Sequence, residues 1–226
     1  MNPIRHLPNS LTLGNLLCGC AGIVCAFTQP ELSLAWFVWA ACLFDFLDGF
    51  SARLLKVSSA IGKELDSLAD VISFGVLPSV QMYVLGLKHG PVVASSGFLL
   101  AAFAALRLAK FNVDTRQSDS FIGLPTPAMA LFITGLPYLF RLVGMSETPA
   151  WLLMAATVMM AVFMVAEIPM PALKFKSFTW KGNETIFLLL AVVLILILIL
   201  GGTGIPIAIL LYLVLSLLRR FQTKTS

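Results

Sequence analysis

From Ile186 to Leu200 every side chain is aliphatic or aromatic, and after Gly201-Gly202-Thr203-Gly204 a second apolar run extends from Ile205 to Leu218 with almost no polar relief. A run of this kind needs a solvent in which hydrocarbon can remain exposed. A span needs about 20 apolar residues, and charges and Pro/Gly clusters divide the chain into eight such stretches, near 11–29, 32–53, 66–87, 91–111, 127–143, 149–168, 184–201 and 204–219. Of the 226 residues, 59% are hydrophobic and only 12% charged, with a mean hydropathy of +0.95, more apolar surface than a globule of this size could hide. The expected fold class is therefore an all-α polytopic membrane protein of about eight transmembrane helices. Disorder, a secreted disulfide scaffold and a soluble nucleic-acid binder are excluded.

Eight spans place both ends of the chain on one side, and Lys and Arg near the span ends test that parity. Thirteen fall on the side of the ends: Arg5, Arg53, Lys56, Lys63, Arg107, Lys110, Arg116, Lys174, Lys176, Lys181, Arg219, Arg220 and Lys224. Only Lys88 and Arg141 fall on the other side. Positive residues gather on the cytoplasmic side, so both termini are expected there, in an inner membrane of bacterial type. The pI near 9.0 then reflects topology and attraction to anionic membrane lipids, with no nucleic acid needed. The first apolar segment lacks a small-residue cleavage site and is expected to be retained. Cys18, Cys20, Cys25 and Cys42 lie inside apolar runs with no CxxC pair and are expected to be small core residues.

The second and third spans carry four acids, Asp45, Asp48, Asp66 and Asp70. A charge at membrane depth costs on the order of 3 kcal/mol even on lenient scales, so such groups face the bundle interior and require partners. Asp45 and Asp48 are spaced i, i+3 and Asp66 and Asp70 i, i+4, so each pair lies on one helical face. On antiparallel neighbours the two pairs meet at similar depth, in one pocket open to the cytoplasm. Oxygen donors without His or Cys suit two hard divalent ions, Mg2+ or Mn2+, an arrangement used for displacement at phosphorus. Gly49, Ala52 and Gly62 leave room for a ligand beside the acids, and Arg53 offers a fork for phosphate oxygens.

Together these residues form Asp45-x2-Asp48-Gly49-x2-Ala52-Arg53-x8-Gly62-x3-Asp66-x3-Asp70. The string resembles the signature of the CDP-alcohol phosphotransferase family at every position. That resemblance implies a six-helix core, a CDP-linked lipid as donor, two metal ions and a homodimer. It makes Asp45, Asp48, Asp66 and Asp70 metal ligands and Asp70 also the acceptor of the attacking hydroxyl's proton. It assigns Asp48, Gly49, Ala52, Arg53, Ser59 and Gly62 to the CDP-lipid, with Asn9 and Thr12 in the similar Pro8-Asn9-Ser10-Leu11-Thr12 segment. The segments Leu13-Gly14-Asn15, Arg107-Leu108-Ala109-Lys110-Phe111-Asn112-Val113 and Phe121-Ile122-Gly123-Leu124-Pro125-Thr126-Pro127-Ala128 resemble one branch, the bacterial-type phosphatidylserine synthases.

The expected activity is phosphatidyl transfer from CDP-diacylglycerol to L-serine, with CMP leaving. The carboxylate of a zwitterionic amino acid needs a cation, and Arg107, Lys110 and Asn112 at the cytoplasmic end of the fourth span are the candidates. The expected division is a core of residues 1–183 and a terminal hairpin of 184–226 whose apolar faces meet lipid. Glycerol 3-phosphate or inositol phosphate as acceptor would call for more cations. A cation-coupled transporter is disfavoured, because the acids sit near one face and no second copy of the Asp pairs is visible.

Overall fold

The computed structural model describes residues 6–29, 32–57, 59–114, 121–145, 147–170 and 184–224. The topological charges Arg5, Arg116, Lys174, Lys176 and Lys181, and the expected division at residue 183, lie outside the described residues. The helices are α1 (Leu7–Thr28), α2 (Ala35–Leu55), α3 (Ala60–Asp70), α4 (Leu77–Gly86), α5 (Pro91–Ser96), α6 (Leu99–Val113), α7 (Thr126–Leu142), α8 (Ala150–Val165), α9 (Glu184–Leu200) and α10 (Gly204–Lys224). A π-helical turn, Val71–Val76, joins α3 to α4, so residues 60–89 form one rod. The only strands among the described residues, β1 (Phe121–Ile122) and β2 (Pro169–Met170), form one short antiparallel pair.

Five stretches are long and apolar enough to cross a membrane: Leu7–Thr28, Ala35–Leu55, Ala60–His89, Pro91–Val113 and Ala191–Leu218. Five and not the expected eight meet that criterion: the first four expected spans match the first four stretches, the last two share Ala191–Leu218, and α7 and α8, of 17 and 16 residues, are shorter than a typical crossing. Large apolar side chains such as Leu17, Val24, Trp36, Phe46 and Leu198 point outward on several helices. Lipid makes this exposure inexpensive. The chain is an all-α polytopic membrane protein.

Three local features set the site. Pro8 opens α1 in its first turn, where its missing N–H is no loss. Ser59 caps α3, its Oγ accepting the Gly62 N–H at 2.9 Å. The third span therefore begins six residues before the expected 66, because a capped helix continues past the membrane boundary with polar residues such as Lys63 and Glu64. On α1, a Cβ at Gly19 would lie 2.8 Å from the Ser73 Cα, so only glycine lets α1 press against the π-helical turn.

The larger core joins α4, α6, α7, α8 and α10 through Met82, Leu100, Phe132, Met160 and Ile209 among others. This corrects the expectation of a lipid-facing terminal hairpin. Leu194, Ile195, Leu198 and Ile199 of α9 are exposed, whereas Ala208, Ile209, Leu213 and Ser216 of α10 are buried. The contact is tight: a Cβ at Gly135 of α7 would sit 2.8 Å from the Pro206 Cδ. In a run of Leu, Ile and Val, a buried face and a lipid face have the same composition, which is why the sequence pattern does not separate them.

Candidate active site

The antiparallel meeting of α2 and α3 brings oxygens of Asp45, Asp48 and Asp66 within 4.8 Å of one another. Asp70, one turn beyond Asp66 at the start of the π-helical turn, is buried and close enough for the charges of Asp45 and Asp66 to act on it. Such turns recur at functional sites because they reset the helical register at one position.

Helix α1 supplies a hydrogen-bond partner to one acid of each pair. The Thr12 hydroxyl lies between the Pro8 carbonyl, 3.0 Å away, and Asp48 Oδ2, to which it donates at 2.6 Å. Asn15 Nδ2 donates to Asp70 Oδ1 at 3.0 Å, and the Asn15 backbone carbonyl accepts from Ser73 Oγ at 2.8 Å. Asn15 is fully buried, so the amide can serve nothing but the interior. Neither Asn15 nor Ser73 is marked by the motif. In the sequence Asn15 belongs to the Leu13-Gly14-Asn15 segment that resembles the branch, with no role attached to it, and Ser73 is a polar residue near Asp70 in an apolar run.

Over the acids opens a cavity of about 490 Å3, lined by Asn9, Thr12, Asp48, Gly49, Ala52, Ser59, Gly62 and Asp66 among others. All the residues expected to meet the CDP-lipid except Arg53 line it. The Arg53 guanidinium instead folds back over Gly49, where a Cβ would be 3.5 Å from Nη1. A Cβ at Gly62 would meet Ser59 Oγ at 3.0 Å and Asn9 Oδ1 at 3.1 Å, so a larger side chain would take space from the cavity.

The three residues expected at the acceptor separate. Arg107 is not at the rim: it is 7% exposed, its Nε is buried without a hydrogen-bond partner, and it is near enough to Asp70 for the two charges to interact. Its guanidinium carbon stands 5.8 Å from the centre of the Phe111 ring. Tyr212 of α10 also lies within electrostatic reach of Arg107, a neighbour that spacing along the sequence does not reveal. Lys110 is exposed. The Asn112 amide is spent on Ser67 Oγ at 2.8 Å, while the Asn112 carbonyl accepts from Lys63 Nζ at 3.0 Å. Asn112 thus ties the end of α6 to α3.

Four carboxylates gather beside an open cavity, three of them with oxygens close enough to share a metal ion, inside a helical bundle whose outer faces are apolar. The chain belongs to the CDP-alcohol phosphatidyltransferase family, whose model matches residues 5–163. It is 34% identical over 226 aligned residues to a CDP-diacylglycerol–serine O-phosphatidyltransferase of Helicobacter pylori, covering 97% of this chain and 92% of that one. An enzyme of the same name from Bacillus subtilis is 31% identical over 172 residues, covering 76% of this chain and 93% of the relative. One from Saccharomyces cerevisiae is 40% identical over 116 residues, 47% of this chain and 41% of the relative.

Proposed function

We propose that this protein transfers the phosphatidyl group of CDP-diacylglycerol to the hydroxyl of L-serine, forming phosphatidylserine and CMP. The observation that carries the reading is the cluster of Asp45, Asp48 and Asp66, of which Asp48 and Asp66 line the cavity above it, with buried Asp70 and Arg107 within electrostatic reach of one another behind it. The names of the relatives support serine as the acceptor.

The donor set fits divalent metal ions. It consists of carboxylates alone, and Asp66 Oδ1 is buried without a hydrogen-bond partner, which is costly unless a cation approaches. Asp45, Asp48, Asp66 and Asp70 would hold two ions, Mg2+ or Mn2+, which when bound neutralise the pyrophosphate and stabilise departing CMP. The remaining work falls to the chain. Thr12 fixes the rotamer of Asp48. Asn15 occupies one oxygen of Asp70, so the other is positioned to take the proton as the serine oxygen bonds to phosphorus and the bond to CMP breaks. Asn9, Gly49, Ala52, Ser59 and Gly62 line the donor cavity, and Arg53, which lies outside that lining over Gly49, reaches phosphate oxygens by swinging away from Gly49. Arg107 pairs with the serine carboxylate, and the Asn112 bridge keeps α6 in register with α3.

We place the site and both termini on the cytoplasmic side of a bacterial-type inner membrane, in a homodimer, with residues 1–183 as the catalytic unit. The thirteen-to-two distribution of Lys and Arg supports that orientation. The test is an acceptor panel. Purified protein with radiolabelled CDP-diacylglycerol and a divalent ion should form phosphatidylserine with L-serine. It should form little lipid with glycerol 3-phosphate or inositol phosphate. Preferential turnover of either of these would overturn the reading.

A further inference from the structure

A second, smaller cavity of about 50 Å3 lies between α6 and the segment following α8, lined by Arg107, Lys110, Asp114, Ile122, Met164 and Glu167 among others. It presents two cations from α6 and two carboxylates, a charge pattern unlike that of the larger cavity. The buried Arg107 forms part of its wall, with the Nε that lacks a partner.

Glu167 is held at this cavity by the backbone, although it is far from the motif in sequence. The Gly123 N–H donates to the Ile168 carbonyl at 3.0 Å, Leu124 N–H to Phe163 O at 2.9 Å, and Ile168 N–H to Ala166 O at 2.8 Å. Phe121 and Ile122 pair with Met170 and Pro169. Gly123 makes this closure possible: its φ is +77°, and a Cβ there would lie 2.5 Å from the Met164 carbonyl oxygen. The turn bearing Glu167 is therefore pinned to the segment before α7.

We infer that the small cavity holds the amino-acid head of the acceptor, with Glu167 receiving its ammonium group while Arg107 receives its carboxylate. The inference rests on the proposed serine transfer and goes beyond it by assigning the ammonium contact. A zwitterion places opposite charges on neighbouring atoms, and this cavity offers opposite charges on facing elements. Glu167 then does two things. It attracts an ammonium, and it repels the phosphate dianion of an acceptor such as glycerol 3-phosphate, so one acid contributes to selection in both directions. The small volume adds a steric limit against a six-membered polyol phosphate.

The test uses the full chain with CDP-diacylglycerol. In Glu167→Gln the apparent KM for L-serine should rise roughly tenfold to a hundredfold, as expected for loss of a charge-assisted contact. The KM for CDP-diacylglycerol and the kcat at saturating serine should stay within about twofold, the split expected of a residue acting on acceptor binding alone. Glu167→Asp should recover part of the loss. A second arm needs no variant: glycerate, which keeps the carboxylate and the reacting hydroxyl but has a neutral hydroxyl in place of the ammonium, should compete with serine on the unaltered enzyme at least about tenfold more weakly than serine binds. Glycerate competing as well as serine binds, or an unchanged serine KM in Glu167→Gln, would overturn the inference. Absence of any lipid product from serine in the unaltered protein would instead overturn the proposed reaction itself.

Discussion

Thr12→Val separates a residue that orients an acid from one that touches the donor. Valine puts a methyl in place of the hydroxyl, so the buried position, 3% exposed, opens no cavity, but a methyl cannot stay 2.6 Å from Asp48 Oδ2 and the carboxylate must move off it. What is lost is the donation to Asp48 Oδ2 at 2.6 Å. A hydrogen bond to a charged group contributes about 1.5–3 kcal/mol, and at about 1.4 kcal/mol per factor of ten this corresponds to roughly tenfold to a hundredfold in turnover. Loss of a partner that orients a metal ligand falls in the same range. Initial rates with radiolabelled CDP-diacylglycerol, over a titration of Mg2+ or Mn2+, should show a lower kcat and a greater demand for the ion, with the serine KM unchanged. Thr12→Ser should recover most of the rate. A Thr12→Val enzyme within twofold of wild type at every ion concentration would refute the assignment of the hydroxyl to Asp48.

Other features make separate predictions. Asn112→Ala should lower the unfolding free energy by about 1 kcal/mol through loss of the bond to Ser67, and leave the serine KM unchanged, as read from melts and kinetics; a serine-specific KM defect would make Asn112 a ligand contact after all. Gly123→Ala should depress the melting temperature, since the left-handed backbone costs about 1–3 kcal/mol for a residue with a Cβ and the added atom meets the Met164 carbonyl; an unchanged melt would contradict the pinned turn. In a background free of native cysteines, a membrane-impermeant thiol reagent added outside should label a cysteine at Lys88 and spare one at Lys56, and the reverse would overturn the topology.

Spacing along two helices was enough to bring Asp45, Asp48 and Asp66 together, because side chains on one face of a helix meet whatever faces them. The partners of the acids were less legible. Thr12 could be read only as part of a nucleotide-contacting stretch and Asn15 only as part of a branch-resembling segment, since their hydrogen bonds depend on how α1 is rotated against α2 and the π-helical turn. The same limit applies to Asn112, whose amide turns toward α3, and to Tyr212, which reaches Arg107 only because α10 docks on α7 through Gly135 and Pro206. In the sequence Glu167 is simply an acid at the end of an apolar stretch. Its place at a cavity follows from backbone pairing across a long separation, which no periodicity encodes.

Serine-dependent release of labelled CMP by Asp45→Asn, Asp48→Asn, Asp66→Asn and Asp70→Asn, each shown to be folded by its melt, tests the central claim most directly. If the four carboxylates act as one cation-holding unit, each substitution removes nearly all turnover, and combining two costs little more than either alone. Wild-type-like turnover in any one of the four, in folded protein, would contradict the account.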